Sequence, residues 1–181
     1  MRFCNQCGKT VEYRIPEGES LPRAVCGGCG YIQYENPRLI LGAVAEWEGR
    51  LLLCRRAIEP RAGLWTLPAG FMENGESSLD AALRETREEA RAELLEARLF
   101  ALMDVPGVNQ VHVFYRARLA DGRHAPGEES LETMLAAEAE IPWSALAFRT
   151  TRRCLELYLE DRRRGVFQTH QITLDGRPCA A

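Results

Sequence analysis

Residues 70–89 read GFMENGESSLDAALRETREE, and this stretch decides the fold. It begins with a glycine-rich turn over residues 70–75, which separates a short apolar segment from a helix-forming one. The residues after the turn predict a helix over 77–90, whose start can be capped by Ser77 or Ser78. The stretch therefore predicts a strand, a tight turn and a helix in close succession.

One face of this predicted helix is acidic and the opposite face is mostly apolar. At roughly 100° per residue, four charged side chains fall within an arc of roughly 140°. The charged arc consists of Arg84, Glu85, Glu88 and Glu89, and the opposite arc consists of Leu79, Leu83, Thr86 and Ala90. We expect the apolar arc to pack on a sheet and the acidic arc to look outward. Neighbouring carboxylates repel one another by about a few tenths of a kcal/mol, which a hard divalent cation would reverse. The alternative is an ordinary solvated charged face.

The same stretch resembles the Nudix box. That motif reads Gly, five residues, Glu, seven residues, Arg-Glu, an apolar residue, any residue, Glu-Glu, any residue, Gly and a final apolar residue. Its fixed positions are filled here by Gly70, Glu76, Arg84, Glu85, Glu88 and Glu89. Thr86 takes the first apolar position, and Arg91 stands where the family has glycine. Because that glycine permits a left-handed turn, Arg91 should either cost roughly 1 kcal/mol or move the helix end.

The resemblance implies a fold and a reaction. The fold would be α/β, a Nudix α/β/α sandwich. The activity would be hydrolysis of a diphosphate linked to a nucleoside, with Mg²⁺ or Mn²⁺ as cofactor. The implied metal ligands are Glu85, Glu88, Glu89 and the carbonyl of Ala69. Glu76 would orient Arg84 rather than touch the metal.

A general base can come from outside the box. Residues 126–132 form an acidic loop before a late strand, and Nudix enzymes often carry an extra glutamate on such a loop. Glu132 directly precedes the predicted strand and is our first candidate, with Glu129 as the second. The alternative is that these are solvated loop acids.

Apolar runs and turn residues predict the remaining elements. The predicted strands are 39–45, 51–54, 65–68, 99–105, 111–119 and, more weakly, 131–136; a terminal helix is predicted over 150–164. The first two strands should form a hairpin. We divide the chain into a segment over residues 1–35, a domain over 36–165 and a loosely ordered C-terminal tail over 166–181.

Four of the seven cysteines form two CxxC pairs in the first segment. Cys4, Cys7, Cys26 and Cys29 have the spacing of a tetrahedral Zn²⁺ site, and the segment is too small to build its own core. A closed four-cysteine site predicts a structural zinc ribbon rather than a catalytic metal. Cys54, Cys154 and Cys179 are scattered.

Nearly the full chain resembles short zinc-ribbon Nudix proteins of bacteria and the plastid FAD/ADP-ribose pyrophosphatases of plants. The carrying segments are residues 14–18, 53–56, 63–71, 125–132 and 140–143. FAD or ADP-ribose is the implied substrate, with AMP plus FMN or ribose 5-phosphate as products. The alternatives are NADH or a modified dNTP, or an inactive module that binds a nucleotide or a protein. NADH is less favoured, because the Ser-Gln-Pro-Trp-Pro-Phe-Pro segment of NADH pyrophosphatases is absent. Relatives of this type are often homodimers, which the sequence itself does not show.

Substrate contacts and location follow from weaker signals. Arg56 is a candidate phosphate ligand and Phe71 a candidate platform for the base. The net charge of −3 argues against a general nucleic-acid binder. No apolar run long enough for a membrane span and no export signal is visible, so we expect a cytoplasmic protein with a small nucleotide as its partner.

Overall fold

In the computed structural model, which describes residues 1–174, the chain divides into two units at Pro37. The first unit is a three-stranded antiparallel sheet in the order β1-β2-β3. Its strands are β1 (Val11–Arg14), β2 (Arg23–Cys26) and β3 (Ile32–Gln33). These strands are short, and the unit buries few large apolar side chains, as the sequence predicts.

The second unit is built on an eight-stranded mixed sheet. Its main path runs β10-β5-β4-β9-β8-β11, with β6 paired to β5 and β7 paired to β4. The strands are β4 (Arg38–Trp47), β5 (Arg50–Arg56), β6 (Trp65–Thr66), β7 (Ala69–Phe71), β8 (Leu94–Val105), β9 (Gln110–Leu119), β10 (Ser130–Ala136) and β11 (His170–Thr173). The predicted hairpin is confirmed, because β4 and β5 pair around a turn with Glu46 opposite Leu51.

Alternating residues of the central strand β4 face two different helices. Ala43 and Ala45 belong to the apolar cluster that contains Ala90 of helix α1 (Ser78–Ala90). Val44 belongs to the cluster that contains Leu155 of helix α2 (Arg149–Arg164). Since successive side chains of a strand point to opposite faces, the sheet lies between the two helices. The predicted α/β/α sandwich is therefore confirmed.

Helix α1 begins and packs as its sequence predicts, except on its acidic face. The Ser77 hydroxyl caps the start by accepting a hydrogen bond from the backbone N–H of Asp80. Thr86 is fully buried and its hydroxyl donates to the carbonyl of Ala82, so this departure from the motif is accommodated in the core. The expectation of an outward-facing acidic arc is wrong for Glu85 and Glu89, which are 9% and 5% exposed.

Arg91 ends helix α1 in a left-handed conformation, with φ 52° and ψ 30°. The helix end has not moved; the arginine adopts the geometry that the family's glycine would supply. A side chain in this region costs roughly 1 kcal/mol, because Cβ crowds the neighbouring backbone.

The C-terminal segment differs from the expected loose tail. Residues His170–Thr173 form β11, which pairs in parallel with β8 at the edge of the sheet. His170 Nε2 lies 2.8 Å from the buried carboxylate of Asp161, which fixes the strand to helix α2. Cys179 and the rest of the expected tail after residue 174 lie outside the described residues. No helix in the described part of the chain is long and apolar enough to cross a membrane.

Candidate active site

The second unit contains a cavity of about 790 Å³ beside the acidic helix predicted from the sequence. The strands β4, β6, β7 and β9 supply part of its wall, together with α1 and the first turn of α2. This size is typical of a small-molecule site, which spans roughly 300–1,000 Å³. The acids of α1 lie at the cavity because the strand-turn-helix segment folds back on β4.

The motif glycine allows strand β7 to pass directly beneath the acids of α1. A Cβ atom at Gly70 would overlap the carboxylate of Glu85, so a larger residue there would displace that carboxylate. Next to it, the backbone N–H of Ala69 donates to Glu89 Oε2 at 3.3 Å. Glu88, the third acid, is exposed. The three carboxylates therefore share one end of the cavity with the backbone of residues 69 and 70.

Arg84 uses all five of its N–H donors inside this cluster. Two bonds go to Glu76, from Nε at 3.0 Å and from Nη2 at 2.8 Å. Nη1 donates to Glu85 at 2.8 Å and to Glu88 at 2.9 Å, and Nη2 also donates to the carbonyl of Phe71 at 3.1 Å. The guanidinium thus ties the turn after β7 to two of the acids. These bonds also lower the pKa of Glu76 to about 2, so that this carboxylate stays charged.

Burial and repulsion from neighbouring carboxylates disfavour the charged form of the two buried acids, Glu85 and Glu89. Burial and the neighbouring Glu85 raise the pKa of Glu89 to about 8. Burial also raises the pKa of Glu85, although Arg84 opposes the shift. A carboxylate pair held this way is stabilised by a hard cation, and oxygen ligands suit Mg²⁺ and Mn²⁺. The residues present therefore fit the predicted metal, and Ala69, whose carbonyl is the further predicted ligand, lines the same cavity.

The acidic loop lies against the end of α1 and brings two glutamates to the cavity. The N–H of Gly127 donates to the carbonyl of Glu89 at 3.0 Å, and a Cβ at Gly127 would overlap the carbonyl of Glu88. Glu128 and Glu129 line the cavity as a result. Glu132, the first candidate base, is instead on β10 opposite Arg55, with its carboxylate 3.5 Å from that guanidinium. Among the described residues that line the cavity, Glu132 is not found.

The two predicted substrate residues both line the cavity. The guanidinium of Arg56 lies 5.1 Å from the ring centre of Phe148, and its Nε donates to the carbonyl of Pro60 at 3.0 Å. Phe71 is half exposed, and its ring lies 5.6 Å from the guanidinium carbon of Arg38. Their roles in binding stay predictions.

Sequence reasoning missed an uncharged part of the wall. His112 is buried, and its Nε2 lies 3.0 Å from the side-chain oxygen of Gln110. Burial lowers the pKa of His112 to about 4, so the ring is neutral near pH 7. Thr150 is also buried and lines the cavity at the start of α2. The signal that could have found this wall is a histidine within an apolar strand.

In the first unit, the four predicted zinc ligands come together. The four sulfurs all lie within 4.8 Å of one another, with 3.8 Å between Cys4 and Cys29 and 3.5 Å between Cys7 and Cys26. Tetrahedral Zn–S bonds of about 2.3 Å require sulfurs about 3.8 Å apart. Backbone N–H groups of Gln6 and Gly28 point at the first sulfur of each pair, as thiolate ligands require. The spacing and the donors fit the predicted structural zinc.

Comparisons with known proteins agree with this fold. The family model described as NUDIX domain matches residues 37–154, and the model described as Nudix N-terminal, a zinc ribbon, matches residues 2–35. The chain therefore belongs to the Nudix hydrolase family.

Several relatives are similar over most of this chain. A crystal structure of a NUDIX hydrolase from Nitrosomonas europaea is 48% identical with a TM-score of 0.92, and the match covers 97% of this chain and 100% of that one. An ADP-ribose pyrophosphatase structure from Streptococcus suis is 27% identical with a TM-score of 0.63, and the match covers 75% of this chain and 99% of that one. The NAD-capped RNA hydrolase NudC of Stutzerimonas stutzeri is 30% identical over 72% of this chain and 46% of its own length. The chain spans about half the length of the curated relatives that it matches first.

We expect zinc to hold the first unit together. Purified protein should contain one zinc per chain, and Cys7→Ser should lower that content and speed amide hydrogen exchange over residues 1–37, because this small unit buries few apolar side chains. Cys54→Ala, in the core of the second unit, is the matched control and should keep its zinc. Unchanged exchange over residues 1–37 after zinc is removed would show that the metal is not structural.

Proposed function

We propose that the protein hydrolyses the diphosphate of a nucleoside diphosphate derivative, with ADP-ribose or FAD as substrate. The products are AMP and either ribose 5-phosphate or FMN. The observation that carries the proposal is the arrangement of Glu85, Glu88 and Glu89 at one end of a cavity whose wall from β9 and the start of α2 is uncharged. A metal-bound diphosphate fits the first end, and a base or another planar group fits the uncharged wall.

The chemistry is divided between the metal site and the loop. A Mg²⁺ ion held here would neutralise the diphosphate and lower the pKa of a water molecule. Glu85, Glu88, Glu89 and the carbonyl of Ala69 would hold the ion, while Arg84 and Glu76 keep the acids in position. Water attacks one phosphorus, the bridging P–O bond breaks, and the other phosphate leaves as the second product.

The structure favours Glu129 over Glu132 as the group that takes the proton from water. Glu129 lines the cavity and is close enough to Glu85 and Glu89 to raise the pKa of both. Glu132 faces Arg55 instead. A general base must reach the attacking water, so its position decides before its acidity does.

The choice of substrate class rests on the cavity and on a named relative. The neutral wall of Gln110, His112 and Thr150 offers hydrogen bonds without charge, and Phe148 and Phe71 offer aromatic faces. These features suit adenine or isoalloxazine. The match to an ADP-ribose pyrophosphatase covers 99% of that chain, which supports ADP-ribose. The curated relatives named NAD-capped RNA hydrolase make NAD(H) derivatives the second candidate.

A substrate panel with Mg²⁺ tests the proposal. We expect ADP-ribose or FAD to have the highest kcat/KM among ADP-ribose, FAD, NADH, an NAD-capped oligoribonucleotide and 8-oxo-dGTP. Glu89→Gln should lower kcat on the order of a hundredfold or more, because it removes a metal-binding charge while keeping the size of the side chain. Product analysis by chromatography identifies AMP.

The matched control for this variant is Glu93→Gln, an exposed acid just beyond α1 that pairs with Arg87. It should retain wild-type turnover. Hydrolysis of NADH or capped RNA alone would move the assignment to the second candidate, and no hydrolysis of any compound would support the inactive-module alternative.

The two candidate bases are separated by matched substitutions. Glu129→Gln should reduce kcat by about 10²- to 10⁴-fold, the usual contribution of a general base, whereas Glu132→Gln should stay within about twofold. Steady-state kinetics at saturating Mg²⁺ gives both values. A larger loss of kcat in Glu132→Gln than in Glu129→Gln would make Glu132 the general base. Normal turnover in both variants would place the base elsewhere.

A further inference from the structure

Arg91 combines a strained backbone with a position on the cavity. It is the residue at φ 52° that ends α1, where a glycine would carry no strain. It also lines the same cavity as Glu88 and Glu128. Strained residues that persist at a site are candidates for a functional role.

The side chain of Arg91 makes no ion pair with any residue in the described part of the chain. Nearby acids are present, since the loop before Glu128 is fixed to the helix end by the N–H of Ala125, which donates to the carbonyl of Ala90 at 2.9 Å. Other arginines of α1 are paired: Arg84 with three glutamates, and Arg87 with Glu93 at 2.8 Å. The Arg91 guanidinium keeps its donors available.

The charges around the cavity show why the unused N–H donors of Arg91 matter. Of the three arginines found among its described lining residues, Arg84 has no donor left for a substrate. Arg56 has given its Nε to Pro60 and lies over the Phe148 ring, and its charge is already near the buried carboxylate of Glu89. A diphosphate that enters beside so many carboxylates needs cationic partners in addition to a metal ion. At the end of α1, the cavity is lined by Arg91, whose guanidinium makes no ion pair with a described residue.

We propose that Arg91 is a substrate-contacting residue that donates hydrogen bonds to a non-bridging oxygen of the diphosphate from the rim formed by the end of α1 and the loop over residues 125–129. This rests on the proposed function and deepens it. Glycine would relieve the backbone strain at this position but would remove the contact. Stability and substrate affinity should therefore respond to Arg91→Gly in opposite directions.

Binding of methylenediphosphonate, a diphosphate analogue whose P–C–P bridge cannot be hydrolysed, tests the contact directly. Isothermal titration with Mg²⁺ present should give a dissociation constant about tenfold weaker for Arg91→Gly than for the wild type, as expected for loss of a charged hydrogen bond. Arg91→Lys should recover most of the affinity. Arg87→Gln, which removes a positive charge from the same turn outside the cavity, is the matched control and should bind within about twofold of the wild type.

The second measurement is the urea midpoint of Arg91→Gly, which should be higher than that of the wild type because the left-handed position is relieved. Weaker binding by a more stable protein cannot be assigned to misfolding. The proposal would be overturned if Arg91→Gly bound the diphosphonate as tightly as the wild type. It would also be overturned if Arg91→Gly and Arg87→Gln lost equal affinity, or if the wild type did not bind the diphosphonate. A wild type that binds the diphosphonate but hydrolyses no nucleotide would overturn the proposed function and leave the Arg91 contact standing.

Discussion

The site depends on the hydrogen bonds that the guanidinium of Arg84 donates. Its five hydrogen bonds join Glu76, the carbonyl of Phe71 and two acids of α1. Losing this cation would leave Glu76, Glu85 and Glu88 without the guanidinium that compensates them. The arrangement also explains the wide spacing in the motif, because Glu76 lies eight residues before Arg84 yet reaches it through the turn before the helix.

The cavity offers two different environments, because its two ends differ in charge. The α1 end concentrates carboxylates, two of them buried, whose mutual repulsion is relieved by a cation. The wall formed by β9 and the start of α2 is neutral, since burial keeps His112 uncharged near pH 7. A ligand that carries a diphosphate at one end and a planar group at the other would satisfy both environments. Under the proposed function, the reaction would be set at one end and the choice of substrate at the other.

The parts that could be predicted from the sequence are those with a local pattern. The helix α1 is predicted by its capping serine, by the turn before it and by the spacing of its acids, because these residues are neighbours in sequence. The spacing of the CxxC pairs predicts the sulfur cluster for the same reason. Burial of Glu85 and Glu89 was not predictable from a helical projection, since it depends on how strand β7 passes beneath them at Gly70. The position of Glu129 depends on Gly127 lying against the end of α1, a contact between elements that are distant in sequence. Strand β11 was missed because a four-residue edge strand has too short a pattern.

The most direct measurement of the central claim is the anomalous scattering of crystals soaked in Mn²⁺. We expect a Mn²⁺ peak within coordination distance of the carboxylates of Glu85, Glu88 and Glu89, and its loss in crystals of Glu89→Gln. A peak at other residues only, or a peak that persists unchanged in Glu89→Gln, would contradict the assignment of these acids as the metal site.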